Sequence, residues 1–334
     1  MTDPASVIWD VLRGSWRTAA MRSMVELDCA EHLADGPLSV AELAARCDAH
    51  APSLSRLMRT LASVGLVETV GEDSYALTEA GAMLRADAPL SLRSGVLFNT
   101  DPLLAPALAQ LTKTVRTGRS AWVEDNGHLY DYMPHHPELA QLFNNYMTNR
   151  AVPMAEGVAS RYDFGSMREV VDVGGGRGHI LAAVLRANPE LRGVLLELPH
   201  VLADAREAFA SWGLSDRCEF VEGDFFASVP EGADAYLLGS VVHNWDEASA
   251  LTILSVVRAA VPREGRVLLV EMVLPDDDRP HFGKDLDMRM LSLFGQGRER
   301  SRSEYTVLLE KAGLTVTGVT PLPFNASLVE ARPA

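Results

Sequence analysis

The pattern of apolar and polar positions changes once along this chain, near residue 160. From about residue 5 to that point, apolar residues recur at helical spacing, which predicts a mostly helical front half. Beyond it, short apolar runs alternate with helical stretches, a pattern typical of a parallel sheet covered by helices on both faces. The chain is therefore predicted to combine a helical front half with an α/β back half.

The front half shows the pattern of a winged helix. Residues 5–33 form one long helical segment that is apolar on more than one face, which favours burial, with a second subunit as one candidate partner. Residues 38–68 predict helix, turn and helix, with Ser39 and Ser53 as the expected N-caps. Two short strands then follow around a Gly-Glu-Asp turn in LVETVGEDSYALTEAG.

A winged helix invites a DNA-binding interpretation, which the charge pattern disfavours. Arg56 and Arg59 on the candidate recognition helix have no basic stripe beside them, and Glu68, Glu72 and Asp73 crowd the wing. The formal net charge of −15 also argues against a phosphate backbone as partner. A structural role in dimerisation or packing is favoured, and no nucleic acid is expected as a partner.

Apolar runs predict seven strands in the back half. Five of them are REVVDVG, RGVLLEL, CEFVEGD, ADAYLLGSVV and GRVLLVEMVL, separated by helical stretches such as HILAAVLRANP. The tail, LTVTGVTPLPFNASLVEAR, predicts two more strands as an antiparallel hairpin at the sheet edge.

Composition bears on the compartment but not on the reaction. Apolar residues make up 47% and charged residues 22% of the 334 positions, as in ordinary globular proteins. Cys29, Cys47 and Cys218 show neither pairing nor zinc-ligand spacing, which favours a reducing compartment. The N-terminus lacks a signal-peptide pattern, and no apolar run approaches the ~18 residues of a membrane span. A cytoplasmic, soluble protein without a membrane partner is expected.

The stretch VVDVGGGRGHI has the outline of a nucleotide-binding turn. Its glycines are Gly174, Gly176 and Gly178, but His179 occupies the position of the third glycine of the dinucleotide fingerprint, and no Gly-Lys-Ser/Thr follows. Asp172 at the strand end would repel a pyrophosphate and suit an ammonium group. A nucleoside that carries positive charge and no phosphate is S-adenosylmethionine.

Further residues at the carboxyl edge of the sheet are expected to bind the same cofactor. Glu197 ends the second strand, where it can accept both ribose hydroxyls, although a solvated surface charge is the alternative. Asp224 ends the third strand, where it can accept from the adenine amino group, and Phe225 or Phe226 can pack on the adenine ring unless both belong to the core. The remaining expected cofactor contacts are Leu198, Gly223, Ser240 and Trp245.

The order of these motifs resembles the small-molecule O-methyltransferases of the plant caffeate and isoflavone type, and equally their bacterial relatives that tailor aromatic polyketides. The motifs that carry the resemblance are DVGGGRGH, LLELPHV, VEGDFF, SVVHNWDE, VEMVLPDD and GRERS, and the match covers nearly the whole chain. The resemblance implies a homodimer, S-adenosylmethionine as cofactor with S-adenosylhomocysteine as its product, and no metal.

The same resemblance implies a fold and a division of the chain. The fold class is α/β: a Rossmann-like class I methyltransferase sheet of seven strands, with an N-terminal, mostly helical winged-helix dimerisation domain. We expect the dimerisation domain at residues 1–95, a helical linker that contributes to the substrate pocket at 96–160, and the S-adenosylmethionine-binding catalytic domain at 161–334.

Methylation of a phenol calls for a base, because the hydroxyl has a pKa of about 10 and histidine titrates near working pH. His243 directly follows the fourth predicted strand, at the same sheet edge as the cofactor acids, and His179 is its rival. The resemblance places the family's catalytic histidine on His243 and the two carboxylates that orient it on Glu271 and Glu299. The alternatives are a strand-end salt bridge for Glu271 and pairing with Arg298 or Arg300 for Glu299.

Two positions depart from the family pattern at this site. Asn244 stands where the family often has aspartate after the histidine, and Gly239 stands four before it where the family often has lysine. Ser240 is therefore expected to contact the cofactor through its backbone.

The substrate contacts implied by the resemblance are Phe143, Tyr146, Met147, Met290 and Phe294, with Asn244 beside the histidine. Methionine at helical spacing is also ordinary core, and that alternative stays open. Arg13, flanked by Trp9 and Trp16, can receive an aromatic carboxylate or phenolate, or can simply stack on an indole at the surface.

The expected function is methyl transfer from S-adenosylmethionine to a hydroxyl of a small aromatic secondary metabolite of the polyketide or phenol type. Two alternatives remain at this stage. One is a cofactor-binding relative with hydroxylase, decarboxylase, N-methylation or C-methylation chemistry. The other is a winged-helix regulator that senses S-adenosylmethionine.

Overall fold

The structure, a computed structural model, describes residues 3–334, so Met1 and Thr2, which begin the first predicted domain, lie outside the described residues. The chain divides into two compact units. Unit 1 contains the N-terminal residues through Pro106 together with Tyr130–Asn149, and unit 2 contains Ala107–Leu129 and Arg150–Ala334. The division at 1–95, 96–160 and 161–334 stays a prediction.

Unit 1 contains the winged-helix elements. They are α1 (Pro4–Glu26), α2 (Cys29–His32), β1 (Leu38–Ser39), α3 (Val40–Arg46), α4 (Ala51–Ser63), β2 (Val67–Val70), β3 (Ser74–Leu77), α5 (Glu79–Ala82) and α6 (Arg93–Asn99). The three strands form one antiparallel sheet in the order β1-β3-β2. The predicted helix–turn–helix and its two-stranded wing are confirmed.

Of the two predicted N-caps, one is confirmed and one is wrong. Ser39 caps α3 in a capping box: its hydroxyl accepts from the Glu42 N–H at 3.2 Å, and the Glu42 carboxylate accepts from the Ser39 N–H at 2.9 Å. Helix α4 begins earlier than predicted, with His50 as its N-cap, because Pro52 is favoured in the first turn of a helix. Ser53 therefore lies inside the helix.

The predicted burial of the first helix holds, within the single chain, only for its C-terminal end. Met24 and Val25 are buried in the core of unit 1, together with residues of α2, α3 and α4. In contrast, six apolar side chains in the N-terminal part of α1, residues 4–16, are exposed: Val7, Ile8, Trp9, Val11, Leu12 and Trp16.

Five further helices precede the large sheet: α7 (Ala105–Ala109), α8 (Leu111–Thr117), α9 (Ala121–Asn126), α10 (Leu129–Tyr132) and α11 (Pro137–Arg161). The first part of α11, through Asn149, belongs to unit 1 and the remainder belongs to unit 2. No helix in residues 3–334 is both long and apolar enough to cross a membrane.

Unit 2 is built on one seven-stranded sheet. Its elements are β4 (Glu169–Val173), α12 (His179–Ala187), β5 (Arg192–Glu197), α13 (Pro199–Ser211), β6 (Cys218–Glu222), β7 (Ala235–Gly239), α14 (Glu247–Ala260), β8 (Arg266–Glu271), β9 (Val273–Leu274), α15 (Phe282–Arg289), β10 (Arg300–Ser301), α16 (Arg302–Lys311), β11 (Leu314–Pro321) and β12 (Ser327–Pro333). The strand order is β11-β12-β8-β7-β4-β5-β6. Strands β4 to β8 are parallel, whereas β12 is antiparallel to β8 and to β11, so the predicted terminal hairpin is confirmed.

Continuous apolar runs form these strands because both faces of the sheet are covered. The inner residues of β4, β5, β7 and β8 are buried, and the apolar core is divided into one cluster on each face. Helix α12 follows β4 and packs in one of these clusters, whereas α14 follows β7 and packs in the other. The chain therefore turns to opposite sides of the sheet after these two neighbouring strands. Ligands of open α/β sheets bind in such a crevice, outside the carboxyl ends of the strands.

Candidate active site

The glycine turn connects β4 to α12 and needs residues without a side chain. Gly174, Gly176 and Gly178 have φ values of +67°, +60° and +76°, in the left-handed region. A Cβ at Gly178 would lie 2.5 Å from the ring of Phe209 on α13, so the start of α12 can pack this closely against α13 only with glycine here. A Cβ at Gly176 would meet open space, which leaves this backbone accessible to a ligand.

Asp172 lies beneath this turn with its carboxylate enclosed by protein. The residue is 1% exposed, and a Cβ at Gly175 would lie 2.3 Å from one carboxylate oxygen. Within residues 3–334 neither oxygen has a hydrogen-bond partner of good geometry. Burial raises the pKa of Asp172 to about 7, the charge of Glu197 adds to the rise, and the Leu181 backbone opposes it. A cationic ligand nearby would stabilise the ionised form.

Glu197 ends β5 and is tied to the glycine turn. Its Oε1 accepts from the Gly176 N–H at 3.2 Å, and its Oε2 accepts from the Leu198 N–H at 2.6 Å. The Glu197 carbonyl also accepts from Gly223 N at 3.1 Å, which joins the ends of β5 and β6. The structure therefore brings Asp172, Gly176 and Glu197 together at one edge of the sheet, as a cofactor site requires.

Three aromatic side chains form one cluster beside the glycine turn. The ring of Phe226 lies 4.7 Å from Trp245 and 5.2 Å from Phe225, between ring centroids. A Cβ at Gly174 would lie 3.1 Å from Phe225, so this ring borders the turn directly. Asp224 is exposed and accepts from the Phe226 N–H at 2.9 Å, a contact that shapes the turn after β6.

His243 lies in a 3₁₀ turn, Val242–Asn244, that follows β7. Its Nδ1 is 2.9 Å from Glu299 Oε1 and 4.0 Å from Glu271 Oε2. A carboxylate can only accept, so the Nδ1–H donates to Glu299 and Nε2 carries the lone pair. The His243 side chain is 13% exposed, whereas both carboxylates are fully buried.

The two carboxylates change the basicity of this histidine. Burial lowers the pKa of His243, but the charge of Glu271 and the hydrogen bond and charge of Glu299 outweigh it, so the pKa is raised above the usual 6.5. The positive charge of Arg150 acts in the opposite direction. Burial also raises the pKa of Glu271 to about 7 against the effect of the imidazole. The imidazole of His243 with its two carboxylates is therefore suited to accepting a proton on His243.

The rival histidine has a different environment. His179 begins α12, packs on the ring of Trp212 at 5.1 Å, and has its pKa lowered by burial and by Arg177 and Arg186. No carboxylate among residues 3–334 forms an ion pair with it. His179 therefore lacks the orienting carboxylates that His243 has.

The segment that carries Glu299 also holds the backbone of the histidine turn, by which we mean residues 242–245. The Arg298 N–H donates to the His243 carbonyl at 2.8 Å, and Arg300 donates to the carbonyls of Val242 and Trp245. Arg298 itself pairs with Glu304, and no ion pair within residues 3–334 joins Glu299 to an arginine. Glu271 Oε1 accepts from the Val242 N–H at 2.8 Å.

Sequence reasoning missed two residues of this arrangement. It considered Arg300 only as a possible partner of Glu299, and it did not consider Asp287, whose carboxylate accepts from the Glu299 N–H at 2.7 Å. The only signal for Arg300 was its place in the GRERS motif. Asp287 gives no signal, because it precedes Glu299 by twelve positions on a different element.

Three predicted contacts of unit 2 lie in or beside the turn that carries His243, namely Ser240, Asn244 and Met290, and Phe294 lies in the same π-helical segment as Met290. Asn244 Nδ2 donates to the Ser240 carbonyl at 3.0 Å, and Ser240 adopts a φ of +55°. The Ser240 N–H is already engaged by Val270 at 2.9 Å. Met290 and Phe294 are buried in a π-helical turn, and a Cβ at Gly297 would lie 2.6 Å from the Met290 methyl and 3.0 Å from the His243 carbonyl.

The other predicted substrate contacts belong to unit 1. The rings of Phe143 and Tyr146 pack on the buried Phe98, with centroid distances of 5.1 and 6.3 Å, and Met147 is half-buried. Arg13 is largely exposed on α1 and pairs with Asp10. The assignment of these four residues to the substrate stays a prediction.

A mixed seven-stranded sheet, a glycine turn with acids at its carboxyl edge, and a buried histidine–carboxylate group together define the class of Rossmann-like methyltransferases. Two family models match this chain: the O-methyltransferase domain over residues 108–315 and the O-methyltransferase dimerisation domain over residues 9–87. The chain belongs to the S-adenosylmethionine-dependent O-methyltransferase family, in the group of enzymes of bacterial secondary metabolism.

Individual relatives match over nearly their full length. The phenazine O-methyltransferase PhzM of Lysobacter antibioticus is 36% identical over 330 residues, covering 98% of this chain and 96% of the relative. The mitomycin biosynthesis 6-O-methyltransferase of Streptomyces lavendulae is 39% identical over 315 residues, covering 93% and 89%. The SAH-bound structure of CalO1, a methyltransferase of calicheamicin biosynthesis, superimposes with a TM-score of 0.91 at 33% identity and full coverage of both chains.

A relative of comparable similarity has another activity in its name. The aclacinomycin 10-hydroxylase RdmB of Streptomyces purpurascens is 37% identical over 322 residues, covering 93% of this chain and 86% of the relative.

Proposed function

We propose that this protein methylates a hydroxyl group of a small aromatic secondary metabolite, with S-adenosylmethionine as methyl donor and His243 as the general base. The observation that carries the proposal is the hydrogen bond between His243 Nδ1 and Glu299, with Glu271 beside it, at the sheet edge that also carries the glycine turn.

The residues at the glycine turn fit S-adenosylmethionine. Asp172 is a buried carboxylate without a hydrogen-bond partner of good geometry among the described residues, which suits a ligand that carries positive charge. Glu197 suits the ribose hydroxyls, and the cluster of Phe225, Phe226 and Trp245 suits an adenine ring. When bound, the cofactor supplies an electrophilic methyl group on a sulfonium.

His243 acts on the hydroxyl of the substrate in this mechanism. With its Nδ1–H held by Glu299, the lone pair of Nε2 is available to accept the hydroxyl proton, and the charges of Glu271 and Glu299 stabilise the imidazolium that forms. The deprotonated oxygen is the nucleophile. General-base assistance of this kind contributes typically ~10²- to 10⁴-fold, and correct orientation of the two reactants adds to it.

The experiment that tests the proposal is a comparison of three histidine variants with labelled S-adenosylmethionine and a panel of hydroxylated naphthoates, anthracyclines and simple phenols. We expect His243→Ala to lose ~10²- to 10⁴-fold in kcat while it still binds the cofactor. His135→Ala, a change in an exposed turn, should be fully active. Full turnover by His243→Ala, or loss of proton transfer in His179→Ala alone, would overturn the assignment.

A second candidate function is hydroxylation, because a relative named as a 10-hydroxylase is as similar to this chain as the O-methyltransferases are. Mass spectrometry of the product separates the two reactions, since one adds a methylene and the other an oxygen atom. Methyl transfer to nitrogen or carbon is separated from O-methylation by NMR of the same product.

We also infer that the active form is a homodimer and that the aromatic substrate carries a hydroxyl on one or more fused rings. The match to a dimerisation domain and the exposed apolar side chains of α1 support the dimer. A relative named 2,7-dihydroxy-5-methyl-1-naphthoate 7-O-methyltransferase, 37% identical over 313 residues, supports the substrate class. A cytoplasmic location and independence of metal remain predictions from the sequence.

A further inference from the structure

We propose that Arg300 is the positioning residue of the histidine turn: its buried guanidinium holds the backbone of residues 242–245 so that the His243 ring stays against Glu299 and Glu271. The inference rests on the proposed function, because a base that must be positioned implies that His243 is the base.

The guanidinium of Arg300 spans both ends of the turn that carries His243. Its Nη1 donates to the Val242 carbonyl at 3.0 Å, and its Nη2 donates to the Trp245 carbonyl at 2.9 Å. One of these carbonyls precedes the histidine and the other follows it. A planar guanidinium offers two donors in a fixed geometry, so it can fix the separation of the two carbonyls, which a lysine ammonium cannot do.

Residues beside Arg300 complete the attachment of the turn. The Arg298 N–H donates to the His243 carbonyl at 2.8 Å, and Gly297 leaves room for that carbonyl, because a Cβ there would lie 3.0 Å from it. The Glu299 side chain accepts from the imidazole. A single four-residue segment, 297–300, therefore holds both the backbone and the ring of His243.

The charge of Arg300 is not used in an ion pair. Arg300 is 1% exposed, yet no carboxylate lies within ion-pair distance of it in the described part of the chain. Burial of a charge without such a partner costs stability, so an arginine here is poorly explained as a stabilising residue. The positive charge also acts on the Tyr305 hydroxyl and on the carboxylates of Asp246 and Glu247. The two hydrogen bonds to backbone carbonyls are the contacts that can position the histidine turn.

The charged groups that face His243 determine how displacement of the turn can be detected. Glu271 and Glu299 raise the pKa of the imidazole, and Arg150 lowers it. If the turn moves away from the two carboxylates, the pKa of His243 falls. This pKa can be measured directly by NMR titration of histidines labelled at Cε1, with the resonance assigned by its absence in His243→Gln.

The decisive variant is Arg300→Lys, which keeps the positive charge and removes the planar pair of donors. We expect the pKa of His243 to fall by ~0.5 pH unit or more and kcat to fall ~10- to 100-fold, while KM for the aromatic substrate changes less than ~3-fold. The matched control is Arg217→Lys. Arg217 Nη2 also donates to two carbonyls, those of Asn188 and Leu191 at 2.5 and 2.6 Å, but at the amino end of β5 and β6. The control should lose stability without changing the pKa of His243 or kcat.

An unchanged pKa of His243 together with unchanged kcat in folded Arg300→Lys would overturn the proposal. If Arg300→Lys does not fold, the direction in which the pKa of His243 shifts in Arg300→Gln decides. Displacement of the turn lowers the pKa of His243, whereas simple loss of a neighbouring positive charge raises it, and a rise overturns the proposal. Failure of the proposed function is recognised separately, by full turnover in His243→Ala, because the NMR titration does not depend on catalysis.

Discussion

The Nδ1 of His243 lies 2.9 Å from Oε1 of Glu299, and both residues belong to segments that the backbone ties together. This contact fixes the tautomer of the imidazole, because the carboxylate can only accept a hydrogen bond. It also places a buried negative charge beside the ring. The pH dependence of the reaction should therefore report the charges around His243.

The first prediction concerns Glu299→Gln, which keeps an acceptor near Nδ1 and removes the negative charge. His243 acts as a base only when it is unprotonated, so kcat/KM rises with pH through the pKa of His243. This rise is the acidic limb of the pH profile. Loss of the charge lowers the pKa, and the limb should move to lower pH by ~1 unit or more while kcat falls ~10²-fold.

Measurement of kcat/KM across pH for wild type and three variants checks this. Glu271→Gln should shift the limb in the same direction, because the Glu271 charge also raises the pKa of His243. Glu247→Gln, a change in an exposed ion pair with Lys311, should leave the limb where it is. A limb that does not move in either active-site variant would show that it belongs to another group.

The second prediction concerns the stability of Asp172→Asn without ligand. The folded-state pKa of Asp172 is raised from 3.8 to about 7, so the protonated form is favoured in the folded protein. The stability from this group is fully present below pH 3.8 and is lost as the pH rises through about 7. Above that pH, the asparagine variant should be more stable than wild type by about 2–4 kcal/mol.

Thermal unfolding of both proteins between pH 5 and 8 measures the difference, which should grow with pH. Asp204→Asn, an exposed change on α13, should show no such trend. S-adenosylmethionine should raise the Tm of wild type more than that of Asp172→Asn, because only the carboxylate attracts a cation. An asparagine variant less stable than wild type at pH 8 would contradict the expected sign.

How much the sequence predicts depends on how local the signal is. The strands were predictable because burial on both faces makes each of them a continuous apolar run, as in VLLE of β5 and VLLVE of β8. The cap of α4 was mispredicted because Pro52 moves the helix start two positions before Ser53. Where two residues close together can each mark the start of a helix, one sequence does not show which of them does.

The candidate site shows the same limit. Only the resemblance names His243, Glu271 and Glu299 together. In the structure both carboxylates lie within 4.0 Å of the His243 imidazole. The contacts of Arg300 join residues 58 and 55 positions apart, and they depend on where two backbone carbonyls lie in the folded chain. No pattern of residue types encodes that position.

The third prediction separates backbone strain from ligand access in the glycine turn. Gly176 and Gly213 have similar φ values, +60° and +69°, and a Cβ at either position would meet open space. Alanine at either position should cost about 1 kcal/mol of stability. Only Gly176→Ala places a methyl group at the proposed cofactor site, so only this variant should weaken S-adenosylmethionine binding, by ~10-fold or more.

Calorimetric titration with the cofactor, together with the Tm of each variant, tests the pair. Equal loss of affinity in both variants would mean that general destabilisation, and not the approach of the ligand to Gly176, limits binding. Full affinity in Gly176→Ala would remove this turn from the cofactor site.

The last prediction concerns the exposed apolar side of α1. Val11 is 79% exposed in the single chain and lies within the segment matched by the dimerisation domain, residues 9–87. If a second copy covers this side, Ile8→Glu/Val11→Glu buries two charges at the interface, and the dimer should dissociate at micromolar concentration. The control is Val115→Glu on α8, which is 64% exposed in unit 2 and should stay dimeric. Size-exclusion chromatography with light scattering gives the mass of each variant. A dimer that persists in the double variant while Val115→Glu dissociates would move the interface from α1 to unit 2.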